Sequence, residues 1–112
     1  EQSPPLAAGF LGAGQMATAL AAAWVKAGLI DPQRSKAADP HPDTRARFAA
    51  ATGVEAVASN AAVVARCDVL VLAVKPHIVP DVMAEVKPLL EARHFVISIA
   101  AGVTLAALAA GL

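Results

Sequence analysis

One cysteine, no tyrosine and no excess of either charge set the first limits on this sequence. Cys67 alone cannot form an internal disulfide or a multi-cysteine metal site, and a lone thiol suits a reducing compartment, which points to the cytoplasm. Nine basic residues balance nine acidic ones, and the basic ones are scattered from Lys26 to Arg93 rather than gathered into a stripe. That excludes the electrostatic footprint expected for binding nucleic acid or an anionic membrane. The three histidines lack metal-ligand spacing, no HExxH or paired cysteine is present, and no Ser-His-Asp arrangement can be drawn. Charge is also missing from Leu6 to Val25, a run of twenty residues that could span a bilayer by length alone. The run is mostly Ala and Gly with Gln15 and Thr18 inside it, and Glu1 stands where a signal peptide carries basic residues. Neither a membrane span nor an export signal is expected.

What is abundant is small and apolar. At 112 residues and 57% hydrophobic, the chain can bury one core and excludes disorder over most of its length. Residues 1–5, with two prolines and polar neighbours, read as a loose tail, and 6–112 as one domain.

The stretch LAAGFLGAGQMATALAAAW, Leu6 to Trp24, organises that domain. Leu6, Phe10 and Leu11 suit a buried strand. Gly12-Ala13-Gly14-Gln15-Met16-Ala17 then fits G-x-G-x-x-G/A at the point where strand should turn to helix. Apolar residues recur at Met16, Ala19, Leu20, Ala23 and Trp24 with helical spacing, and Gly28 sits where a helix ends. In such a turn the first glycine allows the reversal, and the second lets backbone approach a diphosphate. The first amides of the helix, which lack intrahelical acceptors, then face the anion. Taken alone, the six residues also fit a glycine-rich turn with no ligand. The order strand, turn, helix favours the dinucleotide.

Further along, Ser35 to Ala38 reads as a second strand ending at Asp39-Pro40, followed by a helix from Pro42 to Gly53 with Asp43 in its first turn. Val54 to Val57 is a third strand, and Asn60 is placed to cap a short helix. Val69 to Val74 is a continuous apolar run, as a central parallel strand covered on both faces requires. Lys75-Pro76-His77 breaks it. A helix with Pro80 in its first turn would bury Val79, Val82, Met83, Val86 and Leu90. Phe95 to Ile99 is a fifth strand, Ala100-Ala101-Gly102 a small-residue turn, and Thr104 a cap for a helix from Leu105 towards Ala110. Trp24 and Phe48 read as core, Cys67 as packed at a helix end, and His41 and His94 as surface positions.

Five strands alternating with helices give an α/β fold of Rossmann type: a doubly wound parallel sheet with helices on both faces, in the order 3-2-1-4-5. Ligands of such sheets lie beyond the carboxyl ends of the strands, beside the first. The candidate site is therefore Gly12 to Ala17, Asp39, Asn60, Ala73 to His77 and Ala100 to Gly102. Lys75 either approaches the ligand or is a solvated loop lysine, and His77 is a turn residue before it is an acid.

Three pieces, GFLGAGQMATAL (9–20), DVLVLAVKPHIVP (68–80) and FVISIAAGVTLAAL (95–108), resemble the N-terminal cofactor domain of the pyrroline-5-carboxylate reductases, which make L-proline. The resemblance runs from Gly9 onward and is weakest between Asp31 and Glu55. It implies reduction of the substrate's C=N bond by hydride from NADPH or NADH, with no acid–base constellation needed. It further implies that Leu11, Gly12, Ala13, Gly14, Gln15 and Met16 hold the diphosphate and that Asn60 contacts the adenosine side. Ala73, Val74, Lys75 and Pro76 would line the crevice through backbone, and Ile99, Ala100 and Ala101 would lie at the nicotinamide end. No catalytic side chain and no metal ligand is implied.

Two departures stand out. Members of that family continue into a helical C-terminal domain that makes the homo-oligomer and holds the substrate. The chain stops at Leu112, so it is expected to be catalytically incomplete and to leave apolar surface uncovered at its fifth strand and last helix. Second, Asp39 stands where NADPH-using relatives often place Ser or a basic partner. A carboxylate accepts from ribose hydroxyls and repels a 2′-phosphate, which tilts the expectation to NADH, although Arg45 and Arg47 could neutralise that phosphate. Another Rossmann dehydrogenase, such as one acting on β-hydroxy acids, and a non-catalytic dinucleotide-binding module are the alternatives.

Overall fold

The computed structural model describes residues 4–99. The turn at Ala100-Ala101-Gly102 and the helix expected from Leu105 lie outside them, as do the first residues of the tail. Within 4–99 the chain alternates as expected: β1 (Ala8–Leu11), α1 (Gln15–Lys26), β2 (Lys36–Ala38), α2 (Pro42–Thr52), β3 (Glu55–Val57), α3 (Asn60–Arg66), β4 (Val69–Leu72), α4 (Val79–Val86) and β5 (Phe95–Ser98). The strands are all parallel, in the order β3-β2-β1-β4-β5. Phe10 pairs with Ala37 on one side and Val71 on the other, so β1 lies at the centre, where the order reverses.

Alternation along the strands divides the core. Phe10, Ala37 and Val71 point to the face covered by α1 and α2, and meet Ala17, Ala21, Phe48 and Val54 there. Leu11, Ala38, Leu70 and Leu72 point to the other face, against Val63 and Val64 of α3 and Val79, Val82, Met83 and Val86 of α4. The buried face of α4 is thus the one its spacing announced, except that the helix stops at Val86. Pro88 follows in a 3-10 turn, and Leu90 packs from beyond it. The Phe10 ring lies between Phe48 and Trp24, with centroids 5.7 and 6.0 Å away. Its tilted contacts make these aromatics core, as expected.

Three expectations shift. In α1 the fully buried residues are Ala17 and Ala21, whereas Met16, Ala19 and Ala23 are exposed. In an Ala-rich helix apolar spacing cannot mark one face, because methyl groups sit on every side. The cap of α3 is Ser59, whose Oγ accepts from Ala62 N–H at 3.2 Å; Asn60 is the first helical residue. His94 is half-buried rather than superficial: its Nδ1 accepts from Glu91 N–H at 2.8 Å, which leaves Nε2 to donate to Val64 O at 2.8 Å. Arg93 bonds the neighbouring Ala65 carbonyl at 3.0 Å and Asp68 Oδ1 at 2.6 Å. Together the two side chains satisfy carbonyls at the end of α3, groups that a helix leaves without partners.

At the β5 side the first face is open. Phe95 is 64% exposed, and an apolar depression of about 300 Å³ is bordered by Leu6, Trp24, Leu29, Val69, Phe95 and Ile97. The uncovered apolar surface expected at the fifth strand is present. Among the described residues no helix is long and apolar enough to cross a membrane.

The closest packing occurs where α3 crosses β1. A Cβ added at Gly9 would stand 2.5 Å from Val63 Cγ1 and 2.9 Å from Cys67 Cβ. Gly9→Ala is therefore expected to destabilise the chain by about 1–3 kcal/mol in denaturant unfolding, since α3 must lift from the sheet. A neutral result would mean that the contact is slack. Cys67 at the same crossing is fully buried, and burial pushes its thiol above the usual range. At neutral pH a thiol reagent should label the native chain at least roughly a hundredfold more slowly than the denatured one. Because the unfolded chain loses this proton first, the stability advantage of wild type over Cys67→Ala should fall as pH rises through the ordinary thiol range.

Candidate functional site

The loops that follow the strands meet at the carboxyl edge of the sheet, and hydrogen bonds tie them together. Gly12 N–H donates to Ala38 O at 2.8 Å, and Ala73 N–H to Leu11 O at 2.8 Å, so the loop after β1 is fastened to the ends of both neighbouring strands. Leu11 sends its side chain into the core and offers the site main chain only. Gly12 has φ +104°, and a Cβ there would lie 2.9 Å from the carbonyl carbon and oxygen of Ala73. Both the turn and the approach of β4 demand glycine at this position.

Ala13 is 2% exposed and packs beside Ala17, which leaves the next residue at the surface. Gly14 is the N-cap of α1, and a Cβ on it would meet nothing within 4 Å. It supplies no side-chain acceptor, and no acid lies in the first turn. The N–H groups of Gln15, Met16 and Ala17 therefore have no acceptor among the described residues. The other helices differ: Ser59 caps α3, while Asp43 and Asp81 occupy the first turns of α2 and α4. Alone among the four described α-helices, α1 presents a bare, positive end, and it does so at the centre of the sheet.

The adjoining residues vary in what they offer. Asp39 follows β2 with its side chain 13% exposed. Its Oδ2 accepts from Ala13 N–H at 3.1 Å, and its Oδ1 from His41 N–H at 2.9 Å. Arg45, one of the two arginines that could neutralise a 2′-phosphate, donates to the Asp39 carbonyl at 2.8 Å. Arg47 borders a groove of about 670 Å³ between α1 and α2, with Gly14, Gln15, Thr18 and Thr44. Asn60 donates from Nδ2 to Glu85 Oε1 at 3.0 Å, so its amide is held towards α4. Ala73 and Val74 are half-buried, while Lys75 and Pro76 are exposed at the start of a 3-10 turn that also exposes His77. Ile99 N–H bonds Leu72 O at 3.0 Å, and its side chain packs on the Phe10 face. Ala100 and Ala101 lie outside the described residues. No group of three His, Cys, Asp or Glu side chains among the described residues could hold a metal ion.

The sequence reading therefore located the edge but missed two parts of it. His41 is exposed, as expected, but its place beside Asp39 is not visible in the sequence; its flanking prolines, Pro40 and Pro42, are the available signal of a fixed turn. The α1–α2 groove could not be read, because Thr18 and Thr44 lie on different helices and share no local pattern.

A family model described as NADP oxidoreductase, coenzyme F420-dependent, matches residues 7–102. Among curated relatives, pyrroline-5-carboxylate reductase 3 of Macaca fascicularis is 42% identical over 89% of this chain and 36% of its own length. Among solved structures, a pyrroline-5-carboxylate reductase from Coxiella burnetii superposes with TM-score 0.85 at 33% identity, over 96% of this chain and 40% of that one. The Plasmodium falciparum pyrroline carboxylate reductase with NADP bound gives 0.79 at 30% identity, over 96% and 38%. The chain thus spans little more than a third of the length of these relatives. By a match that covers nearly all of the described residues, the chain belongs to the family of NADP oxidoreductases described as coenzyme F420-dependent, and within that family it is similar to the N-terminal part of the pyrroline-5-carboxylate reductases.

Proposed function

We propose that this chain is the nicotinamide-dinucleotide-binding part of a pyrroline-5-carboxylate reductase, an oxidoreductase that reduces pyrroline-5-carboxylate to L-proline in proline biosynthesis. One observation carries the reading. The amides of Gln15, Met16 and Ala17 open without an acceptor beneath Gly14, whose missing Cβ faces empty space. That is a cradle a side chain would fill and a diphosphate fits. Leu11 to Met16 hold the diphosphate through main chain, and Asn60 stands on the adenosine side. Ala73 to Pro76 line the crevice, and Ile99 stands towards the nicotinamide end.

The bound coenzyme supplies hydride. The chain's share of the chemistry is to place it and keep its charge neutralised. An iminium carbon is already electrophilic, so no nucleophile or general base is required of these residues. Recognition of the substrate and assembly of the homo-oligomer belong to the further part of the relatives, and the cytoplasm is the compartment that suits a lone buried thiol.

Either NADPH or NADH satisfies the cradle, and Asp39 tilts the choice to NADH. Its negative charge repels a 2′-phosphate, while Arg47 at the groove makes NADPH tolerable.

Titration followed by nicotinamide fluorescence tests the cradle. Gly14→Val, at φ −75° a conformation open to any residue, should leave the melting temperature unchanged and weaken both coenzymes by roughly tenfold or more. Undiminished binding would place the diphosphate elsewhere. For the choice of coenzyme, Kd for NADH should lie below that for NADPH in wild type. Asp39→Ser should shift their ratio by about tenfold towards NADPH. An unmoved ratio would remove Asp39 from coenzyme selection.

A further inference from the structure

Asp39 is engaged within the chain itself. Its carbonyl accepts from Arg45 at 2.8 Å and its N–H bonds Val57 O at 3.0 Å, so the residue is fixed at both ends of its peptide. Its carboxylate then reaches across to the loop after β1. Oδ2 accepts from Ala13 N–H at 3.1 Å, whereas Oδ1 takes His41 N–H at 2.9 Å and lies 3.1 Å from His41 Nδ1. Of the roughly four lone-pair sites of a carboxylate, most are therefore spoken for before any ligand arrives.

We propose that Asp39 is a positioning residue of the phosphate loop: by holding Ala13 N–H towards β2, it sets the direction in which the amides of Gln15 and Met16 open. This rests on the reading of that loop as the diphosphate cradle. Ala13 lies between two glycines, one at φ +104°, and is itself 2% exposed. Without Asp39 its N–H would be buried with no acceptor, a costly state. Rotation of the flanking peptides is the relief nearest to hand, since glycines resist it least. Such a rotation carries Gly14 and the start of α1 with it. The effect would fall on the diphosphate and hence on both coenzymes alike, unlike a contact to the ribose.

Two uncharged variants separate the roles. In Asp39→Asn the one amide oxygen keeps the bond from the buried Ala13 N–H, its NH2 turns to His41 Nδ1, and the exposed His41 N–H is left to water; in Asp39→Ala neither N–H keeps an acceptor. Amide hydrogen exchange of the ligand-free chain should show Ala13 protected in wild type and Asp39→Asn and exchanging about tenfold faster in Asp39→Ala. Relative to Asp39→Asn, Asp39→Ala should weaken NADH and NADPH by the same factor, again about tenfold. Equal exchange of Ala13 in the two variants would overturn the proposal, as would a loss confined to NADH. Should wild type bind neither coenzyme, the diphosphate reading fails instead, and the exchange of Ala13 still decides whether Asp39 holds the loop.

Discussion

Backbone meeting backbone at Gly12 is the constraint on which the carboxyl edge of this sheet depends. The 2.9 Å gap between a hypothetical Gly12 Cβ and the Ala73 carbonyl leaves no side chain but hydrogen there. Because β1 and β4 are neighbours in register from Ala8↔Val69 to Leu11↔Leu72, this approach is the continuation of the strand pairing into the loops. The turn after β1 therefore cannot swing outward without breaking the bond from Ala73 N–H to Leu11 O. A chain reversing this tightly at the centre of the sheet sends α1 back across one face, and the small residues Ala17 and Ala21 allow the helix to settle close over Phe10. Fold and cradle are consequences of one piece of geometry.

The electrostatics of that edge are set by what is withheld. The other described α-helices are finished with a hydroxyl or an early acid, each of which satisfies or neutralises the positive end. At α1 neither is supplied, although Asp39 lies near enough to bond the loop. Its carboxylate takes the amide of Ala13, one residue before the cap, and leaves those of the first helical turn open. A chain with no net charge thus concentrates positive potential on one small area by orienting amides rather than by gathering lysines. In the proposed reading such a site would neutralise a diphosphate without attracting anions over the whole surface.

How much of this was legible depended on how local each cause was. The alternation of strands and helices, the buried run of β4 and the buried face of α4 were readable because each follows from a short-range pattern with large contrast between apolar and polar residues. In α1 the contrast vanished: Met16 and Ala23 are as apolar as Ala17 and Ala21, and only tertiary packing decides which are covered. The cap of α3 moved from Asn60 to Ser59 because both residue types suit the position, and a one-residue shift does not alter the apolar pattern. His94 and Arg93 were unreadable as partners of α3, since the carbonyls they meet lie some thirty positions away in sequence. Asp39 was legible as a residue of the carboxyl edge by its place after β2. Its bond to Ala13 was not, because it crosses between two loops that only the sheet brings together.

The division of labour in the proposed reaction follows from the same economy. Residues that close over a dinucleotide at a sheet edge can do so with main chain and small side chains, and Gly12, Gly14, Ala73 and the half-buried Ile99 offer what that proposed contact needs. Recognising a small charged substrate needs convergent polar side chains, and this edge has few of them. Lys75 and His77 are exposed on a turn, Asn60 is bonded to Glu85, and Asp39 is bonded to Ala13. An apolar depression stays open beside β5, where Phe95 and Ile97 have no described helix above them. Among the described residues this edge therefore offers oriented main chain, fixed by the contact of the first loop with its two neighbouring strands, and few polar side chains that converge on one point.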